Sequence, residues 1–231
     1  MKRNLCIIVL FLLIIFHVLN IMAWFNQDMW PTGKDWHMHL DHAFKLIGNI
    51  ENGFTWSDLI FVNTSHPSFF YATGMFLRKV CLNSNRSIFL TPALFFFVLI
   101  FSVYGLGKKL FNKKAGLAAA VICSFSPVIY KSSIQFHVDL AAAAMVSLVN
   151  YLIIDSEGFK HRGKAFLIGV ILGLAFLTRQ FVVLFVIGPF LITLFANLEQ
   201  KNEGSEMFKQ NRVKQGRKQY NSLRCGVDSC F

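Results

Sequence analysis

Apolar runs recur along this chain at about 5–24, 88–106, 115–130, 134–154, 165–178 and 181–198. Most are near 20 residues, the length an α-helix needs to cross roughly 30 Å of hydrocarbon. Little polarity interrupts them, so they read as helices with apolar surface on every side. A further run, SFFYATGMFLRKVCL at 68–82, is shorter and carries Arg78 and Lys79. The pattern predicts an all-α, multi-pass membrane helix bundle. Its long first extracytoplasmic loop, 25–87, is expected to carry juxtamembrane helices at 36–50 and 68–82, with a turn at Glu51-Asn52-Gly53 between them. The apolar pattern stops at Leu198, and the polar, basic stretch 199–231 reads as a disordered tail.

Composition agrees with a membrane protein. The mean hydropathy is +0.50 and only 15% of residues are charged, against about 25% in soluble domains. The first run is too long for a signal peptide and ends in Met, Ala, Trp and Phe rather than small residues, so it is expected to remain as the first membrane helix. The net charge of +11 does not point to nucleic acid, because cytoplasmic loops of membrane proteins collect Lys and Arg. Placing the amino terminus and the carboxy-terminal tail in the cytoplasm puts 16 of the 23 basic residues inside. The loop 24–87 is then neutral, with five bases and five acids. This arrangement makes 68–82 an interfacial helix lying along the outer face; the alternative makes 68–82 a crossing and puts the cluster Lys108, Lys109, Lys113 and Lys114 outside. Five cysteines show no metal spacing and no disulfide framework.

Ionisable groups at the outer side are the candidate chemistry. KDWHMHLDH, 34–42, holds Asp35, Asp41 and three histidines in nine residues. Asp35 is either a helix N-cap or an exposed reactive carboxylate. Asp41 falls six residues later, off Asp35's helical face, and reads as solvated. His37, His39 and His42 lack the i, i+4 spacing of helical zinc motifs, so interfacial histidines are the plainer reading. Asp139 opens the fourth long run, where a carboxylate is either functional or favoured by the helix dipole. Arg179, alone between the last two apolar runs, is either an anion partner or a snorkelling anchor.

Five stretches carry a resemblance. They are Asp35 with His39-Leu40; HPSFFYATGMFL at 66–77; LTPALFFFVLIFSVYGLGKKLFNKKAGLAAAVICSFSP at 90–127; Asp139; and GVILGLAFLTRQ at 169–180. Together, over about 1–198, they resemble the amino-terminal part of the GT-C membrane glycosyltransferases. The branch is the one that uses polyprenyl-phosphate sugars, similar to protein O-mannosyltransferases and aminoarabinose transferases. The resemblance implies transfer of a sugar to a lipid, glycan or protein hydroxyl outside the cell membrane, with inversion and no obligatory cofactor or metal. It implies Asp35 and Asp139 as catalytic carboxylates, Asp35 as the base and Asp139 to orient the acceptor or hold a cationic partner near the site. Arg179, with Arg78 and Lys79, would hold the donor phosphate, and His39 and His66 would contact acceptor or donor. Two motifs depart from the family: Asp35-Trp36 stands where Asp-Glu is usual, and His66-Pro67-Ser68 where His-Pro-Pro is usual. Members are usually much longer, so a truncated or inactive copy is a second expectation. A non-catalytic membrane subunit or a lipid transporter is the alternative.

Overall fold

The computed structural model describes residues 2–27, 35–53, 68–80, 85–159 and 162–198; the expectations for His66 and for the tail 199–231 lie outside them. The chain divides into two units, Met1–Pro189 and Phe190–Phe231. In the second, the described residues 190–198 are helical. The first is built of helices, with no strand among the described residues. They are α1 (Lys2–Asn26), α2 (Asp35–Gly53), α3 (Phe69–Val80), a 3-10 turn (Asn85–Phe89), α4 (Leu90–Leu110), α5 (Lys113–Ser124), α6 (Pro127–Ile134), α7 (Val138–Asp155) and α8 (Arg162–Phe176). A further apolar helix, α9 (Val182–Leu198), begins in this unit. The protein is an all-α membrane helix bundle.

Among the described residues, three helices are long and apolar enough to cross a membrane: Leu5–Trp24 of α1, Ser87–Leu110 through α4, and α7. A fourth crossing is supplied if α5 and α6 count as one broken span. The apolar run 115–130 is thus two helices bent by 62°. Pro127 is the cause. It has no N–H to continue the ladder, and it drives Ser126 to an extended ψ of 122°. The helix α2 runs through Glu51–Gly53, where the sequence suggested a turn. At 12 residues, α3 extends about 18 Å, short of a full crossing.

The core lies between α4 and α7, with α5 closing on the other side of α4. Leu10, Leu13, His17 and Ile21 form the buried stripe of α1, at steps of three and four residues, while Leu5, Phe11 and Leu19 remain exposed on the same helix. In lipid such exposure carries no hydrophobic penalty, since acyl chains are as apolar as leucine. Phe95, Phe96, Leu99 and Ile100 of α4 and Ala141, Ala144, Met145 and Val149 of α7 are buried in the interior of the unit, with the Phe95 ring against Phe69 and Phe70 of α3 and the Phe96 ring against His17 of α1. The α4–α5 hairpin is tighter still. A Cβ on Gly107 would lie 2.6 Å from the Gly116 Cα, and one on Gly116 would lie 2.5 Å from the Tyr104 carbonyl oxygen. Two glycines facing each other let these backbones touch, the small-residue device of membrane helix pairs.

The antiparallel run of α4, α5–α6, α7 and α8 gives the bundle two ends. At one lie the start of α7 and the end of α8. At the other lie the end of α7, the start of α8 and the α4–α5 hairpin tip.

Candidate functional site

The first end gathers polar groups from four helices. Gln135 and His137 are extended, and His137 caps α7 by accepting the Asp139 N–H at its Nδ1, 3.4 Å away. This sets Asp139 in the first turn of α7, where the helix dipole favours a carboxylate. One Asp139 oxygen lies 3.1 Å from His137 Nδ1, and the other pairs with the Arg179 guanidinium. Arg179 is held there by the end of α8. The chain leaves that helix through a turn in which the Arg179 N–H donates to the Ala175 carbonyl, and the Phe69 N–H donates to the Leu177 carbonyl at 3.0 Å. The second of these bonds ties the start of α3 to the end of α8.

The helix α3 in turn delivers Tyr71 to this end of the bundle. Its side chain is fully buried, and its hydroxyl lies 2.7 Å from His39 Nδ1 of α2. Burial pushes the Tyr71 phenol well above its ordinary pKa, and the nearby positive charge of Arg179 only partly offsets that. The phenol therefore remains protonated and serves as a hydrogen-bonding group, not as a base. The His39 ring is buried as well and meets the His137 ring edge to face at 5.0 Å. His39 thus bridges α2, α3 and the start of α7.

Asp35 is the first residue of α2, four positions before His39. One helical turn separates the two positions. The backbone that bears Asp35 accordingly starts at the end of the bundle where Asp139 sits. Asp41 is exposed and bonds Lys45 at 2.7 Å, and that lysine holds its carboxyl below the usual carboxylate range. His37 is exposed, whereas His39 and His42 are buried. No group of three His, Cys, Asp or Glu side chains is placed to share a metal ion among the described residues. Arg78, half-buried, and exposed Lys79 stand in the last turn of α3 and form no ion pair with Asp139 among the described residues.

A cavity of about 560 Å³ adjoins the Asp139–Arg179 pair. It follows α7 for about two turns, and Ala143, Val146, Val182 and Phe185 line its apolar part. The site therefore offers a cation with a carboxylate counter-ion at one place and an apolar groove leading away from it. A ligand with an anionic head and an apolar stem fits that division of chemistry.

Sequence reasoning missed Tyr71 and His137. Tyr71 lies inside the quoted stretch 66–77, but its burial depends on Phe136 and Phe70, whose rings pack beside it. His137 stands two residues before Asp139, and that proximity was the available signal.

A membrane bundle with an ion pair beside an apolar groove at one end is the class of protein these features define. Residues 65–208 match the family described as dolichyl-phosphate-mannose-protein mannosyltransferase, and the chain belongs to that family. The matched stretch takes in Tyr71, Asp139 and Arg179; Asp35 and His39 precede it. No curated protein and no solved structure matches the chain. At family level the protein is a membrane glycosyltransferase of the polyprenyl-phosphate-mannose type.

Proposed function

We propose that the protein transfers a sugar, mannose by the family's description, from a polyprenyl-phosphate donor to an acceptor hydroxyl on the extracytoplasmic side. The observation that carries this reading is the Asp139–Arg179 pair beside the apolar cavity. The donor phosphate exchanges with Asp139 for the Arg179 guanidinium, and the prenyl chain follows the groove along α7. Arg179 then stabilises the charge that develops on the leaving phosphate.

Asp35 acts as general base. The acceptor oxygen attacks the anomeric carbon, its proton passes to the Asp35 carboxylate, and the bond from that carbon to the phosphate oxygen breaks with its electron pair on the phosphate. Attack from the face opposite the phosphate inverts the anomeric centre. Asp139, released by the phosphate, turns to His137 and orients the acceptor. His39 holds α2 against Tyr71, so the helix that starts at Asp35 stays beside the donor. His66 contacts acceptor or donor, and Arg78 with Lys79 attracts the donor phosphate from the headgroup layer.

Sidedness follows from charge. The end with the lysine-rich hairpin faces the cytoplasm, with the amino terminus and the tail 199–231 on that side. In this orientation α2 and α3 lie on the outer face.

The test is sugar transfer from a radiolabelled polyprenyl-phosphate donor by the membrane-reconstituted chain. Asp35→Asn is expected to lower turnover by about 10²–10⁴-fold, the usual worth of a positioned base, without changing donor affinity. Undiminished turnover in Asp35→Asn removes Asp35 from the reaction.

A further inference from the structure

The opposite end of the bundle has a charge imbalance that its own contacts do not resolve. Among the described residues there, Lys108, Lys109, Lys113, Lys114, Arg162 and Lys164 face only two acids, Asp155 and Glu157. Asp155 is already shared. Lys109 Nζ lies 2.6 Å from one of its oxygens and Lys164 Nζ 2.7 Å from the other. Glu157 lies close enough to act on Lys109. Lys108, Lys113, Lys114 and Arg162 are exposed and have no ion pair among the described residues.

The α5 N-terminus is not what they serve. Asn112 Oδ1 already accepts the Lys114 and Ala115 N–H groups. Between the two lysine pairs stand Leu110, 58% exposed, and Phe111, 77% exposed. Only Phe111 and Asn112 connect α4 to α5, and the Gly107–Gly116 contact locks the helices just above. The tip therefore cannot fold back to bury its apolar residues. A soluble anion would find the lysines but would leave Phe111 in water. Phosphate headgroups above acyl chains satisfy both, since lysines meet the phosphates while Leu110 and Phe111 enter the boundary beneath them.

We propose that the α4–α5 hairpin tip, through Lys108, Lys113 and Lys114 around Leu110-Phe111 and with Arg162 beside it, is a binding site for anionic phospholipid headgroups. The site is separate from the ion pair at the other end and stands whether or not the protein transfers sugar. Each lysine near an anionic surface strengthens attraction about fivefold. The Gly107–Gly116 contact makes that attraction act on α4 and α5 as one body.

The full chain in detergent, titrated with phosphatidylglycerol and with phosphatidylcholine of the same acyl chains, tests this by native mass spectrometry. Phosphatidylglycerol is expected to bind at least about tenfold more tightly. K108Q/K113Q/K114Q should bring the two lipids to parity, while K108R/K113R/K114R keeps the preference and Phe111→Ser weakens it. Raising salt from about 50 mM to about 500 mM should erase the preference of the unmodified chain, an outcome independent of how any variant folds. The proposal is overturned if the glutamine variant keeps the preference, if the preference survives high salt, or if glycerol phosphate displaces the lipid at equal concentration.

Discussion

The two ends of α7 each hold a carboxylate with cations, and they are built in opposite ways. Asp155 is the last residue of the helix, where the dipole disfavours a negative charge. Two lysines offset that, one from the end of α4 and one from the start of α8, and Lys164 also donates to the Asp155 main-chain carbonyl at 2.9 Å. Its side chain is only 21% exposed and its oxygens are occupied. Asp139 opens the helix, where the dipole favours it, and remains 51% exposed beside a cavity. A carboxylate that the helix already stabilises can give up its cation to a ligand. One that the helix destabilises must keep its lysines. The first arrangement suits binding, the second holds three helix ends together.

The comparison breaks most sharply at Arg179. Arg179→Ala is expected to weaken binding of a polyprenyl-phosphate donor by about 10–100-fold, the worth of charge-assisted bonds to phosphate, with little change in thermal unfolding. Unchanged donor affinity, measured by titration in detergent, would make Arg179 a mere partner of Asp139. Asp155→Ala should behave in reverse. It strands Lys109 and Lys164 and should lower unfolding stability by about 1–2 kcal/mol, leaving donor affinity as it was. A loss of donor affinity there would mean that the two ends are not independent.

His17 extends the comparison to a polar group with no cation or acid paired to it among the described residues. It is buried in α1 among the rings of Phe16, Phe96, Phe125 and Tyr130, and neither ring nitrogen has a hydrogen-bond partner among the described residues. His17→Leu should stabilise the bundle by about 1 kcal/mol, because an unsatisfied buried group is removed; a lower melting temperature would show that the imidazole has a bonding role. The smallest effect belongs to Asp41. Its carboxyl is held below the ordinary range by Lys45, so any stability it adds is present above the ordinary carboxylate pKa and is lost as pH falls through the lowered one. The pair is fully exposed and screened by salt. Asp41→Asn should leave the acid limb of a melting-temperature profile unchanged, and a shift there would assign the pair a structural role.

Residues 66–77 show where sequence reading succeeds and where it stops. Their apolarity and the basic pair at Arg78-Lys79 are enough to set the stretch apart from the spanning helices, and α3 forms at Phe69–Val80. That Tyr71 would be its buried polar group was not legible, because the partner, His39, is 32 residues away on α2. The break at Ser126-Pro127 has a local cause and could be read from the proline. The pairing of Asp139 with Arg179 could not, since 40 residues and two helices separate them.

By itself the sequence determined that this protein is an all-α membrane bundle, because lipid leaves backbone groups no partner but their own helix and so turns each long apolar run into one. It also determined which residues are ionisable and, through the lysine-rich turns, that the ends of the bundle differ in charge. Only the tertiary structure decided which of those groups share an end. It paired Asp139 with Arg179, bridged Asp155 to Lys109 and Lys164, and set His39 against Tyr71 and His137. Those contacts depend on which helix faces are buried against each other. In a chain whose membrane helices are apolar on every side, the hydrophobic pattern carries no record of that choice.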